Sequence, residues 1–166
     1  ARGAGVVLID AQGAEQQVDV LGGGAIVGEM ALLTDAPRTA TIKAMTPMTL
    51  GKISRADFDQ LMSEQESLRQ QVLRSFARNA FDNAVRALPR FAHLSHADRL
   101  AWFEAGRSVE GAAEAPVETD GASYVFVARG ALRVGRQPYA APALLEVGSL
   151  DMSCVESSEY LLFVAP

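Results

Sequence analysis

The residue types best suited to chemistry are concentrated in one stretch, Gly22-Gly-Gly-Ala-Ile-Val-Gly-Glu-Met-Ala-Leu-Leu-Thr-Asp-Ala-Pro-Arg-Thr-Ala-Thr41. Glu29 supplies a hydrogen-bond acceptor. Arg38, beyond a short loop, supplies a cation with several donors. An arginine can meet phosphate oxygens with two parallel hydrogen bonds, whereas a lysine offers only a point charge. Gly28 lets the backbone approach a ligand closely, and a short helix starting near Glu29 would aim free backbone N–H groups at an anion. The plain alternative is a surface helix on which Glu29 and Arg38 form an ordinary ion pair and the glycines serve a turn. A dinucleotide-binding glycine loop does not fit: after Gly22 and Gly24 the next glycine, Gly28, comes one residue too late for GxGxxG, and no strand-helix-strand unit surrounds it.

Elsewhere the chemistry-bearing residues are isolated. His93 and His96 are the two histidines, and a pair at a helix entrance makes no metal site without carboxylates or thiolates around it. Cys154 has no base beside it in sequence, so a buried or incidental thiol is favoured over a nucleophile. On a strand, Arg129 and Arg133 would share a face that Arg136 does not, and a solvated face is the default reading. No catalytic base, nucleophile or metal set is visible, and no cofactor is expected.

The whole chain bounds these readings. Its 166 residues are 49% hydrophobic and 21% charged, an ordinary globular composition with room for one domain or two small ones. A formal charge of −5 gives no broad positive field to gather nucleic acid or an anionic membrane surface. A single cysteine excludes an internal disulfide framework and fits a reducing, cytoplasmic compartment. Apolar runs such as Val6 to Ile9 and Tyr160 to Ala165 fall far short of the roughly 20 residues that span a bilayer. The first residues lack the apolar core of a signal peptide and begin abruptly in a strand, as a fragment would.

The elements that must position Glu29 and Arg38 can be read from periodicity. Gly5 to Ile9 and Gln17 to Leu21 alternate around a turn-rich segment and predict a hairpin. Two further strands are expected at Thr39 to Ala44 and Met48 to Ile53, separated by Thr46-Pro47. From Ser54 the period changes to about 3.6, which predicts helix to Leu88, capped by Ser54 with Asp57, stopped by Pro89 and broken within Ser63 to Ser67. Ser95 with Asp98 opens another helix through about Ala105. Strand pattern then returns at Ser123 to Val134, Leu144 to Val147 and Tyr160 to Val164.

The segment Gly28-Glu29, Ala31-Leu-Leu33 and Pro37-Arg-Thr-Ala-Thr41 resembles the phosphate-binding cassette of the cyclic nucleotide-binding domain family. Gly51 to Leu61 resembles the last barrel strand and following helix of that family, and Leu68 to Val85 the longer helix that closes over the base. The resemblance implies a site for cAMP or cGMP at Gly28, Glu29, Met30, Ala31, Arg38, Thr39 and Ala40. Glu29 would take the ribose 2′-hydroxyl and Arg38 the exocyclic phosphate oxygens, with hydroxyl and backbone contacts from Thr39 and Ala40. Thr39 leaves guanine open as the base, and the base cover would be sought among Leu73, Phe76 and Ala77. In the family, phosphate capture pulls the cassette inward and lets the following helices repack against an effector.

A second, degenerate copy is expected after the helices. Leu88 to Leu100 resembles the helical lead-in of such domains, Asp120 to Val134 their early strands, and Leu144 to Gly148 mirrors Val18 to Gly22. Where a cassette should follow, Ser149 to Ser157 contains neither a Gly-Glu pair nor an arginine. The expectation is thus a mainly β, α+β chain of tandem jelly-roll-like barrels: residues 1–87, lacking their front strands, and residues 88–166, unable to bind ligand. Such a chain is cut from a larger protein or lacks segments before Ala1 and between Leu150 and Cys154. The implied function is non-enzymatic sensing of a cyclic nucleotide, relayed to an effector domain or protein outside the chain, without nucleic acid or membrane insertion. A structural module that retains the fold without ligand binding is the alternative.

Overall fold

The structure, a computed structural model, describes residues 2–11, 13–34, 37–38, 40–149 and 151–166. By their contacts the residues divide into two units, Ala1–Phe76 and Ala77–Pro166.

In the first unit the expected hairpin forms, β1 (Gly5–Ala11) running antiparallel to β2 (Ala14–Leu21). Asp10 Oδ1 accepts from the Gly13 N–H at 2.6 Å and ties the turn, where Gly13 has φ +87°. β3 (Thr41–Ala44) adds to the other side of β1, giving the order β2-β1-β3 with Val6 and Leu8 buried on one face of the middle strand. Between β2 and β3 lies α1 (Glu29–Thr34).

The expected strand at Met48 to Ile53 does not form. Among the described residues its pairing is a single bridge, Arg2 to Thr49. Leu50 and Ile53 are accordingly exposed.

The helical run divides as its polar interruption predicts, into α2 (Arg55–Glu64) and α3 (Glu66–Arg86), with Gln65 between them at φ −122°, ψ 89°. Ser54 caps α2, its Oγ accepting from the Asp57 N–H at 3.2 Å. Along α3 the buried apolar positions are Val72, Phe76, Ala77, Ala80, Phe81 and Val85, the three-to-four spacing of one helix face. The division between units falls inside α3.

In the second unit a 3-10 turn at Pro89–Phe91 leads to α4 (His96–Ala105), opened by a full capping box between Ser95 and Asp98. Seven strands follow: β4 (Arg107–Gly111), β5 (Tyr124–Arg129), β6 (Ala131–Val134), β7 (Gln137–Ala140), β8 (Ala143–Glu146), β9 (Met152–Cys154) and β10 (Ser158–Phe163). They form two antiparallel sheets, ordered β4-β10-β5-β8 and β7-β6-β9.

Strand alternation sorts the core of this unit into two layers. On β5 and β10 the facing pairs Val125–Leu162 and Val127–Tyr160 join Leu132, Met152 and Cys154 in one cluster. The alternate pairs, Tyr124–Phe163 and Phe126–Leu161, lie on the opposite face of the sheet. There Phe81 stacks on Phe163 with ring centroids 4.7 Å apart and meets Phe126 edge-on at 5.5 Å, while Trp102 and Phe103 complete an aromatic seam beneath α3 and α4. Burial on both faces explains why β5 reads as a continuous apolar run.

Three of these strands escape sequence reading. β4 carries one large apolar residue, Val109; β7 contains Pro138 and is tolerated because it lies at a sheet edge; β9 is three residues long. The expected single strand Ser123 to Val134 is interrupted at Gly130, φ +81°, where an added Cβ would strike the Ser157 carbonyl and Ser158. Arg129 and Arg133 therefore lie on strands of different sheets and share no face. Arg129 sits 4.0 Å from Glu159 and Arg133 3.5 Å from Glu114.

The fold is mixed α+β, with antiparallel sheets and four α-helices among the described residues. None of those helices is long and apolar enough to cross a membrane.

Candidate functional site

β2 ends at Leu21 and the chain turns through glycines, the Ala25 N–H reaching back to the Gly22 carbonyl at 3.4 Å. Gly24 and then Gly28 take positive φ, +87° and +83°. Gly28 is the pivot from which α1 starts, and a side chain there is opposed twice. The backbone lies in the left-handed region, and a Cβ would fall on the guanidinium of Arg38.

Arg38 Nη1 donates to the Gly28 carbonyl, so the structure brings together the glycine and the arginine singled out by spacing. Arg38 is otherwise exposed, as are Pro37 and Ala40. Glu29 occupies the first turn of α1 and is 4% exposed. A carboxylate there is favoured by the partial positive charge of a helix start. Met30 and Ala31 are half-buried along α1, and Ala40 sits one residue before β3. Thr39 lies outside the described residues.

One residue of this region was not anticipated. Arg55, the first residue of α2, donates from Nη1 to the Leu32 carbonyl at 3.2 Å and from Nη2 to the Ala31 carbonyl at 3.3 Å. Its only sequence signal is its place after the capping Ser54.

His96 Nδ1 lies 3.2 Å from Asp82 Oδ1, the atom that also accepts from Arg99 Nε at 2.7 Å. Among the described residues no three His, Cys, Asp or Glu side chains gather where a metal could sit. Cys154 is fully buried, and burial pushes its thiol pKa up, against the thiolate a nucleophile needs. Leu73 is half-buried and Phe76 and Ala77 are buried on α3, as a plain core face requires.

Comparison with known proteins bears on the same segment. The family described as "Cyclic nucleotide-binding domain" matches residues 3–65. No curated protein sequence matches the chain. Among solved structures, the chain is similar to the regulatory domain of Toxoplasma gondii PKA with cAMP, at 19% identity and a TM-score of 0.38, over 98% of this chain and 68% of that one. It is similar to cAMP-bound PfPKA-R at 12% identity and a TM-score of 0.40, over 98% and 61% of the two chains. A third is the regulatory subunit of a cAMP-independent protein kinase A from Trypanosoma cruzi bound to guanosine, at 16% identity and a TM-score of 0.38, over 97% and 60%. The chain thus spans 60% to 68% of the length of these relatives. The family match covers β1 to α2, the Gly28 pivot and Arg38 included.

Proposed function

We propose that this chain is a non-enzymatic regulatory module that senses a cyclic nucleotide, cAMP or cGMP, at Gly28, Glu29, Met30, Ala31, Arg38, Thr39 and Ala40. The observation that carries the reading is the convergence of Arg38 on the Gly28 pivot within the segment that matches the family. In this reading the cyclic phosphate competes with the Gly28 carbonyl for the Arg38 guanidinium, whose planar fork can take two phosphate oxygens at once. Glu29 accepts a hydrogen bond from the ribose hydroxyl.

Occupancy of the site then passes through α1 into α2 and α3 and on to an effector outside the chain, in a cytoplasmic setting and without a cofactor. The second unit is proposed as a degenerate copy that docks or supports and binds no nucleotide. The stretch that would hold a cassette, Ser149 to Ser157, instead supplies β9, with Met152 and Cys154 buried in the core.

Thermal denaturation of the chain with cAMP, with cGMP and with neither tests the reading. A nucleotide at a hundredfold excess over its dissociation constant should stabilise by roughly 2.7 kcal/mol. A transition that neither nucleotide moves at millimolar concentration overturns it.

A further inference from the structure

The two bonds from Arg55 go to consecutive carbonyls, Ala31 and Leu32, near the end of the six-residue α1. The last four carbonyls of a helix have no partner within it and carry its partial negative charge, so a cation there is favourable. α1 has no basic residue in its own last turn. The cation comes instead from α2, 23 and 24 residues further along the chain. The start of α2 is satisfied separately by the Ser54 cap. One short helix is therefore engaged at both ends: Arg38 bonds the carbonyl of Gly28 just before it, and Arg55 bonds its final turn.

We propose that Arg55 is a positioning residue, a strap that fixes α1 to the start of α2 so that any displacement of α1 is delivered to α2. The role in signalling rests on the nucleotide reading of the Gly28–Ala40 segment; the strap itself does not. A planar fork with two parallel N–H groups constrains direction as well as distance. A lysine at 55 could reach one carbonyl at a time and would transmit less.

Amide hydrogen exchange on the chain, wild type beside Arg55→Ala and Arg55→Lys, tests this in two arms. Without nucleotide, Arg55→Ala should speed exchange in α1 by about tenfold, the scale of a lost hydrogen bond to a charged group. β1 amides should stay unchanged and Arg55→Lys should fall between. Unaltered α1 exchange in Arg55→Ala overturns the strap. With saturating cAMP or cGMP, the wild type should change protection across α2, while Arg55→Ala still binds but leaves α2 unchanged. An α2 response in Arg55→Ala equal to wild type overturns the coupling. If the wild type responds to neither nucleotide, the nucleotide reading falls, and the first arm still decides the strap.

Discussion

Arg38 donates from Nη1 to the carbonyl of Gly28, ten residues before it, at the point where a φ of +83° turns the chain into α1. The guanidinium proposed to bind phosphate is thus parked on a backbone oxygen of the same site. Removing it should cost binding far more than folding, because the side chain is exposed and exposed substitutions usually shift stability by no more than about 0.5 kcal/mol. Arg38→Ala should weaken nucleotide affinity by roughly 1.5–3 kcal/mol, the range for hydrogen bonds to charged groups. Calorimetric titration of the variant checks this, and undiminished affinity would remove Arg38 from the site.

Gly28→Ala separates backbone strain from crowding. The left-handed conformation costs a non-glycine residue about 1–2 kcal/mol. The clash of the new Cβ with Arg38 can be relieved, since what it meets is the far end of a flexible side chain. The expected result is a loss of about 1–2 kcal/mol in chemical denaturation together with weaker nucleotide binding, as Arg38 is pushed off the pivot. Gly28→Ala in an Arg38→Ala background should lose the crowding component and keep the strain. Equal stability of Gly28→Ala and wild type would contradict the positive φ.

What could be read from the sequence followed from local rules that the structure keeps. Ser54 and Ser95 cap their helices with aspartates three residues on, and the polar break at Gln65 divides the helical run. What could not be read was decided by partners distant in sequence. β4 is a strand because β10 lies beside it, Val109 facing Tyr160. Met48 to Ile53, despite its apolar pattern, pairs among the described residues through one bridge, Thr49 to Arg2. Gly130, between two apolar stretches, looks like a pause in one strand, yet its backbone sends β6 into a different sheet. At the site, type and spacing pointed to Gly28 and Arg38, which do meet. The reach of Arg55 back to α1 depends on how two helices pack, which no local pattern encodes.

The α4 cap should be acid-labile. Hydrogen bonds from the Ser95 hydroxyl and then the Ser95 backbone N–H hold the Asp98 carboxyl below its usual pKa. A carboxylate whose pKa is depressed by folding contributes stability that is complete above its unfolded pKa and is lost as pH falls through the folded one. The contribution of Asp98 should therefore be intact from neutral pH down to about 4 and disappear below that. Urea midpoints between pH 6 and pH 2.5 for wild type and Asp98→Asn test the sign. The difference between them should narrow as the solution is acidified, and a difference independent of pH would be inconsistent with the cap.

Asp82 and Arg99 form the buried ion pair of the second unit, each 7% exposed and 2.7 Å apart. Arg99 Nη1 also donates to the Leu94 carbonyl at 2.7 Å, so the pair ties the second half of α3 to the turn before α4. A buried charge left without its partner costs about 3–5 kcal/mol, while replacing both charges by apolar residues of similar volume is often neutral. Asp82→Asn should accordingly destabilise this unit by about 3–5 kcal/mol, and Asp82→Leu with Arg99→Met by much less. Trp102 is the only tryptophan and meets Phe81 edge-on at 5.4 Å, so its fluorescence during urea unfolding reports this packing directly. An Asp82→Asn midpoint equal to wild type would mean that the pair does not hold the helices. A double variant as damaged as the single would mean that the shape of the two side chains matters more than their charges.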